Sequence, residues 1–124
     1  MMEAKYLNIT GERAPTKGNT WAGFEFSVQF NINGVITDVV DDITEVNMQI
    51  RDSYESPRSV KNLSLTLGTI TKVTTTTPKR LKIEPFNIDF KEGNYVYDIL
   101  ITFSNGDKKT YIKGNFKVYP TVTR

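Results

Sequence analysis

Two alternating runs separated by Ser104-Asn105-Gly106-Asp107 close this chain, and they constrain its fold more than any other segment. Asn94 to Phe103 reads NYVYDILITF, and Lys108 to Tyr119 reads KKTYIKGNFKVY. Apolar residues at every second position fit strands buried on one face. Asn-Gly between two such runs is the strongest short hairpin signal, because both central residues of the favoured two-residue turn need φ > 0. With Asn105 and Gly106 as that turn, the register follows. Ile101 faces Thr110, Ile99 faces Ile112, Tyr97 faces Gly114 and Tyr95 faces Phe116. On the other face Asp98 lies opposite Lys113, and Thr102 opposite Lys109. Tyr111 and Tyr119 then point away from the apolar face. Nothing in this ribbon is a chemical reagent.

The rest of the composition agrees with strands. Threonine occurs 16 times and alanine three times, a bias against helix and toward sheet. The 124 residues suit one domain, 1–124, that buries about 65% of its unfolded surface. Cysteine and histidine are both absent. Disulfides, thiolate metal sites and cysteine nucleophiles are excluded. So are the usual general base near neutral pH and every Ser/His or Cys/His arrangement. No enzymatic activity and no cofactor are expected. The net charge of +2 neither demands nor forbids a polyanionic partner. The opening MMEAKYLNIT has no apolar core run, so no secretion signal is expected. No stretch approaches the roughly 18 apolar residues of a membrane span. A soluble protein made in the cytoplasm is the expectation.

Along the chain, Ala4 to Thr10 reads as a first strand and Gly11 to Asn19 as a loop. Gly23 to Asn31 alternates strictly, with Phe24, Phe26, Val28 and Phe30 on one face. Asn31 to Gly34 turns. Asp41 to Asp52 fits either period, and the surrounding strands favour a strand. Ser53 to Asn62 reads as a connection. Leu63, Leu65 and Leu67 mark a strand ended by Gly68, and Ile70 to Thr77 an edge strand. Short strands follow around Leu81 and Ile83, and around Phe86, Ile88 and Phe90. Seven to nine short strands at this spacing predict an all-β fold, an immunoglobulin-like antiparallel β-sandwich. Gly93-Asn94-Tyr95-Val96-Tyr97 fits the tyrosine corner of such domains, with Tyr95 at the corner and Tyr97 inward.

Few clusters carry chemistry. Asp38, Asp41, Asp42 and Glu45 could hold calcium, but their spacing matches no EF-hand and a solvated loop is the simpler reading. Lys72, Lys79, Arg80 and Lys82 flank a threonine run, where a basic loop could touch an anionic partner or simply protect a sheet edge. Trp21, Tyr111 and Tyr119 could stack on sugars or meet a partner protein, and exposed aromatics concentrate at protein interfaces. The residues expected to be structural are Asn105, Gly106, Gly114, Tyr95 and Tyr97.

The order of several motifs resembles one family. These are Gly18-Asn19-Thr20, the Phe-rich run, Thr37-Asp38, Met48-Gln49-Ile50-Arg51, Gly93 to Ile99, and Lys109 to Gly114. Together they resemble the immunoglobulin-like domain at the N-terminus of tailed-phage baseplate upper proteins and related fibre or decoration proteins. The chain departs from that family at Asn19, where aspartate is usual. It also lacks the glycine usual in the Asp38 to Asp42 turn, and it stops at Arg124. The resemblance implies a non-enzymatic virion protein, assembled in the host cytoplasm, that docks onto capsid or tail/baseplate neighbours as a decoration or adaptor protein. Its implied partners are other virion proteins, with a homo-oligomer also open, and neither nucleic acid nor membrane. The candidate contacts are the Thr69–Thr77 edge, the terminal segments, and Trp21, Tyr111, Tyr119, Lys72, Lys79 and Arg80. The main rival is a carbohydrate-binding module using the same aromatics. A hydrolase on the acidic loop and an adhesin subunit are weaker rivals.

Overall fold

The computed structural model describes residues 5–121, and strands dominate them. They are β1 (Lys5–Tyr6), β2 (Thr20–Trp21), β3 (Phe24–Ser27), β4 (Gln29–Ile32), β5 (Val35–Asp38), β6 (Ile43–Arg51), β7 (Ser59–Ser64), β8 (Ile70–Val73), β9 (Arg80–Ile83), β10 (Phe86–Asn87), β11 (Gly93–Phe103) and β12 (Lys108–Val118). One five-stranded sheet runs β1-β12-β11-β6-β7, and a three-stranded sheet runs β3-β9-β8. Smaller pairs join β10 to β2 and β4 to β5. From β12 to β7 the large sheet carries the G-F-C-C′ order of immunoglobulin-like domains, and β3-β9-β8 carries their B-E-D order. The fold is an all-β sandwich. It is not purely antiparallel, because β1 runs parallel to β12. Among the described residues the strands number twelve rather than seven to nine, several being only two residues long.

The core follows from alternation. Tyr95, Tyr97, Ile99 and Ile101 of β11 face inward with Val46, Met48 and Ile50 of β6. Ile70, Leu81 and Ile83 meet them from the other sheet. β6 is thus the expected strand, with its period-two residues buried between two neighbours. The Gly23 to Asn31 run is interrupted between β3 and β4, where Val28 is wholly buried. Ala4, the first residue of the expected opening strand, lies outside the described residues. The strand expected at Leu63 to Leu67 is displaced: β7 begins at Ser59, and Leu65 to Gly68 form a turn that leaves Leu67 70% exposed.

The closing hairpin confirms part of its expected register and corrects the rest. Tyr95 faces Phe116, Tyr97 faces Gly114, Asp98 faces Lys113 and Ile99 faces Ile112. Nearer the turn the pairing slips by one. Leu100 faces Thr110, Ile101 faces Lys109 and Thr102 faces Lys108. The loop has three residues, not two. The Gly106 N–H donates to the Phe103 carbonyl at 2.9 Å, and the Phe103 N–H donates to the Asp107 carbonyl at 2.8 Å. Gly106 alone takes φ +91, so this is a tight turn followed by a left-handed glycine, and Asn105 keeps a negative φ. A bulge at Tyr111 absorbs the extra residue and restores the register beyond it.

Two structural expectations hold in full. The Tyr95 hydroxyl donates to the Lys91 carbonyl four residues upstream, the bond that defines a tyrosine corner. Tyr97 is buried, and its hydroxyl donates to the Leu7 carbonyl at 2.6 Å. Burial pushes that phenol far above its ordinary range. Gly114 lies directly beneath this contact. A Cβ there would stand 2.2 Å from the Leu7 carbonyl oxygen, so only glycine lets the extension of β1 run this close alongside β12.

Candidate functional site

Two of the three candidate aromatics belong to the core. Trp21 is 7% exposed, its rings edge-on to Phe24, Phe86 and Phe116. Its indole N–H donates to the Arg13 carbonyl at 3.1 Å, so its polar atom is satisfied inside. Tyr111 is 2% exposed, against the expectation that it points outward. The bulge turns it inward, where it stacks on Phe26 at 6.0 Å and donates to the Ser27 carbonyl at 3.3 Å. Tyr119 is half-buried. Its hydroxyl accepts the Gly11 N–H at 3.2 Å, and Lys117 Nζ sits 5.1 Å from its ring. These three side chains form no exposed platform, which removes the sugar-stacking surface assigned to them.

The basic and acidic clusters meet each other. Lys79 Nζ pairs with Asp41 at 2.6 Å, and the Lys79 N–H donates to Asp38 at 2.9 Å. The Lys79 hydrogen bond holds the Asp41 carboxyl below its usual range, and Asp41 raises Lys79 in turn. Lys72 Nζ donates to the Ile43 carbonyl at 2.7 Å, and Arg80 lies 3.7 Å from Glu25. Glu45 accepts from Val46 at 2.9 Å and from the Thr66 N–H at 3.1 Å. The candidate contact cations are therefore tied to their own fold. The 3₁₀ turn Val40–Asp42 brings this acidic segment to the start of β9, a juxtaposition that the sequence separation hides.

Three surfaces emerge that composition did not reveal. First, β4 and β5 pair only with each other among the described residues, and their hairpin leaves Ile32 48%, Val35 63% and Ile36 63% exposed. The signal for it was present: Asn33-Gly34 between β-branched residues, with φ of 52 and 83 at the turn. Second, β3 has a strand on one side only among the described residues. Beside it opens a groove of ≈610 Å³ lined by Leu7, Ile9, Trp21 and Phe24. Third, the outer face of the large sheet carries a polar cleft of ≈430 Å³, with Tyr6 73% and Tyr54 44% exposed on the same sheet face. No family model, curated protein or solved structure matches the chain.

Proposed function

We propose that this chain is a non-enzymatic structural protein of a tailed-phage virion, docking onto capsid or tail/baseplate neighbours as a decoration or adaptor protein. The β4–β5 arm carries the reading. The arm is anchored to the core through Phe30, whose ring lies 5.5 Å from Phe103, while Ile32, Val35 and Ile36 stay exposed to water. Burying them against a neighbour supplies the missing contact. The open edge of β3 offers a second mode, since an extended segment of a partner can add to it by backbone hydrogen bonds. The motif order described from the sequence supports the virion setting, and many copies on a symmetric particle make weak contacts sufficient.

Mass spectrometry of purified virions from a phage that encodes the chain tests this directly. The chain is expected as a stoichiometric component. Val35→Asp with Ile36→Asp is expected to remove it from the particle while its folding stability changes by less than ~0.5 kcal/mol. Particles that lack the chain altogether overturn the reading.

A further inference from the structure

The outer face of the large sheet holds a set of polar groups whose hydrogen-bonding capacity the fold does not use. Asn47, Gln49 and Arg51 occupy alternate positions of β6, Asp98 and Leu100 occupy alternate positions of β11, and Thr110 comes from β12. The ladder places them side by side: Asp98 faces Gln49, and Leu100 lies between Asn47 and Thr110. All six are half-buried. The two terminal nitrogens of Arg51 bond Gln49 and, at 3.3 Å, the Ser56 carbonyl, while its Nε is buried among the described residues with no partner. Asn47, Asp98 and Thr110 make no side-chain hydrogen bond to any described residue, and no described cation stands within 4.0 Å of the Asp98 carboxylate. A buried polar atom without a partner calls for one, and the Arg51 Nε is such an atom in the wall of a cleft around which an amide, a carboxylate and a hydroxyl also stand open.

The geometry points to an uncharged saccharide in this cleft. The open groups need a partner that donates to Asp98 and both donates to and accepts from Asn47 and Thr110, and a hydroxyl does both. Arg51 and Lys113 set against Asp98 leave at most one net positive charge at the cleft, too little to favour a strongly charged ligand. Leu100 gives an apolar floor for the C–H face of a ring. Tyr54 lies next to this set. Its hydroxyl donates to the Gly114 carbonyl at 3.2 Å and reaches the carbonyl of Tyr97, the residue before Asp98. Lys113 carries the exposed Tyr6 ring 5.1 Å from its Nζ, opposite Asp98. The bulge at Tyr111 falls at the edge of the cleft, and bulges re-aim side chains beside binding sites. A carboxylate, amides, a guanidinium and neighbouring phenols on a rigid three-strand floor make a sugar-binding surface distinct from the docking arm.

Titrating ¹⁵N-labelled protein with glucose, galactose, mannose, rhamnose and N-acetylglucosamine at millimolar concentrations tests the assignment. At least one sugar is expected to give saturable shifts in the amides of Gln49, Asp98, Leu100 and Thr110. Asp98→Asn and Asn47→Ala keep the fold and are each expected to weaken that binding about tenfold, the worth of one good polar contact. No shift with any sugar overturns the assignment. So do shifts centred elsewhere, or equal binding by both variants.

Discussion

Asn-Gly occurs twice in this chain, at 33–34 and at 105–106, and it builds a different turn each time. In the β4–β5 arm both residues take positive φ, Ile32 faces Val35, and the loop is the two-residue turn that the dipeptide favours. The Asn31 side chain accepts the Gly34 N–H at 2.8 Å and seals it. In the closing hairpin only Gly106 is left-handed, the loop has three residues, and Asn105 instead accepts the Asp107 N–H at 2.9 Å. Among the described residues the arm pairs with no other strand, so local turn preference sets its register. β11 and β12 are pinned by β6 and β1 and by a buried face running from Tyr95 to Phe103. There the packing chooses the register and the turn adapts, with the slip absorbed at Tyr111.

That contrast can be broken by substitution. The largest effect is expected at the bulge. Tyr111→Ala empties a buried ring site between the sheets and is expected to cost about 3–4 kcal/mol in urea unfolding. A loss under ~1 kcal/mol would show that the slipped residue is not part of the core. Next comes Gly114→Ala, which drives a methyl into the Leu7 backbone and is expected to cost about 2–3 kcal/mol. Amide exchange should show Leu7 and Ile9 opening first.

The two turn glycines sharpen the comparison itself. A Cβ at Gly34 or Gly106 meets nothing within 4 Å, so each alanine substitution costs only left-handed strain, about 1 kcal/mol. At Gly106 that cost is expected in global stability, because the hairpin is the core. At Gly34 it is expected only as faster exchange within the arm, which opens locally. Equal global losses at both sites would mean that the arm folds as one unit with the sandwich.

The smallest effect depends on pH. Burial pushes the Asp98 carboxyl above its ordinary 3.8, despite the pull of Arg51 and Lys113. The folded protein therefore holds this proton to higher pH than the unfolded chain. The resulting stability is present in acid and lost as pH rises through the raised value. Asp98→Asn keeps the shape without the charge. Its melting temperature at neutral pH should exceed the parent's, with the gain fading below about pH 4. A gain that persists unchanged in acid would contradict the burial argument.

Much of the sandwich was legible because period two survives in its longest strands. β6, β11 and β12 show it, and so does the corner at Tyr95. What period two cannot say is whether a strand's outer residue is later covered or a run is cut short. One bulged residue moved Tyr111 from surface to core. Leu63, Leu65 and Leu67 alternate as well as any strand, yet Ser64 and Thr69 hydroxyls capture backbone amides there, Ser64 bonding the Leu67 N–H at 3.0 Å, and a turn wins. The charged clusters were visible, but not that Asp41 and Lys79 would neutralise each other. The polar cleft was not visible at all, because its six residues come from three strands and only the ladder brings them together.

The parallel strap of β1 also carries a consequence for how the molecule is made. Leu7 and Ile9 donate to Lys113 and Asn115, and Tyr119 donates to Pro15, so the opening segment is fastened to the last strand across more than a hundred residues of chain. Such distant pairing forms late and slowly. While the ribosome is still extending the chain, the opening segment has nowhere to dock until the Lys108 to Tyr119 stretch has cleared the exit tunnel. In that interval the nascent chain has an exposed flank that a chaperone can recognise.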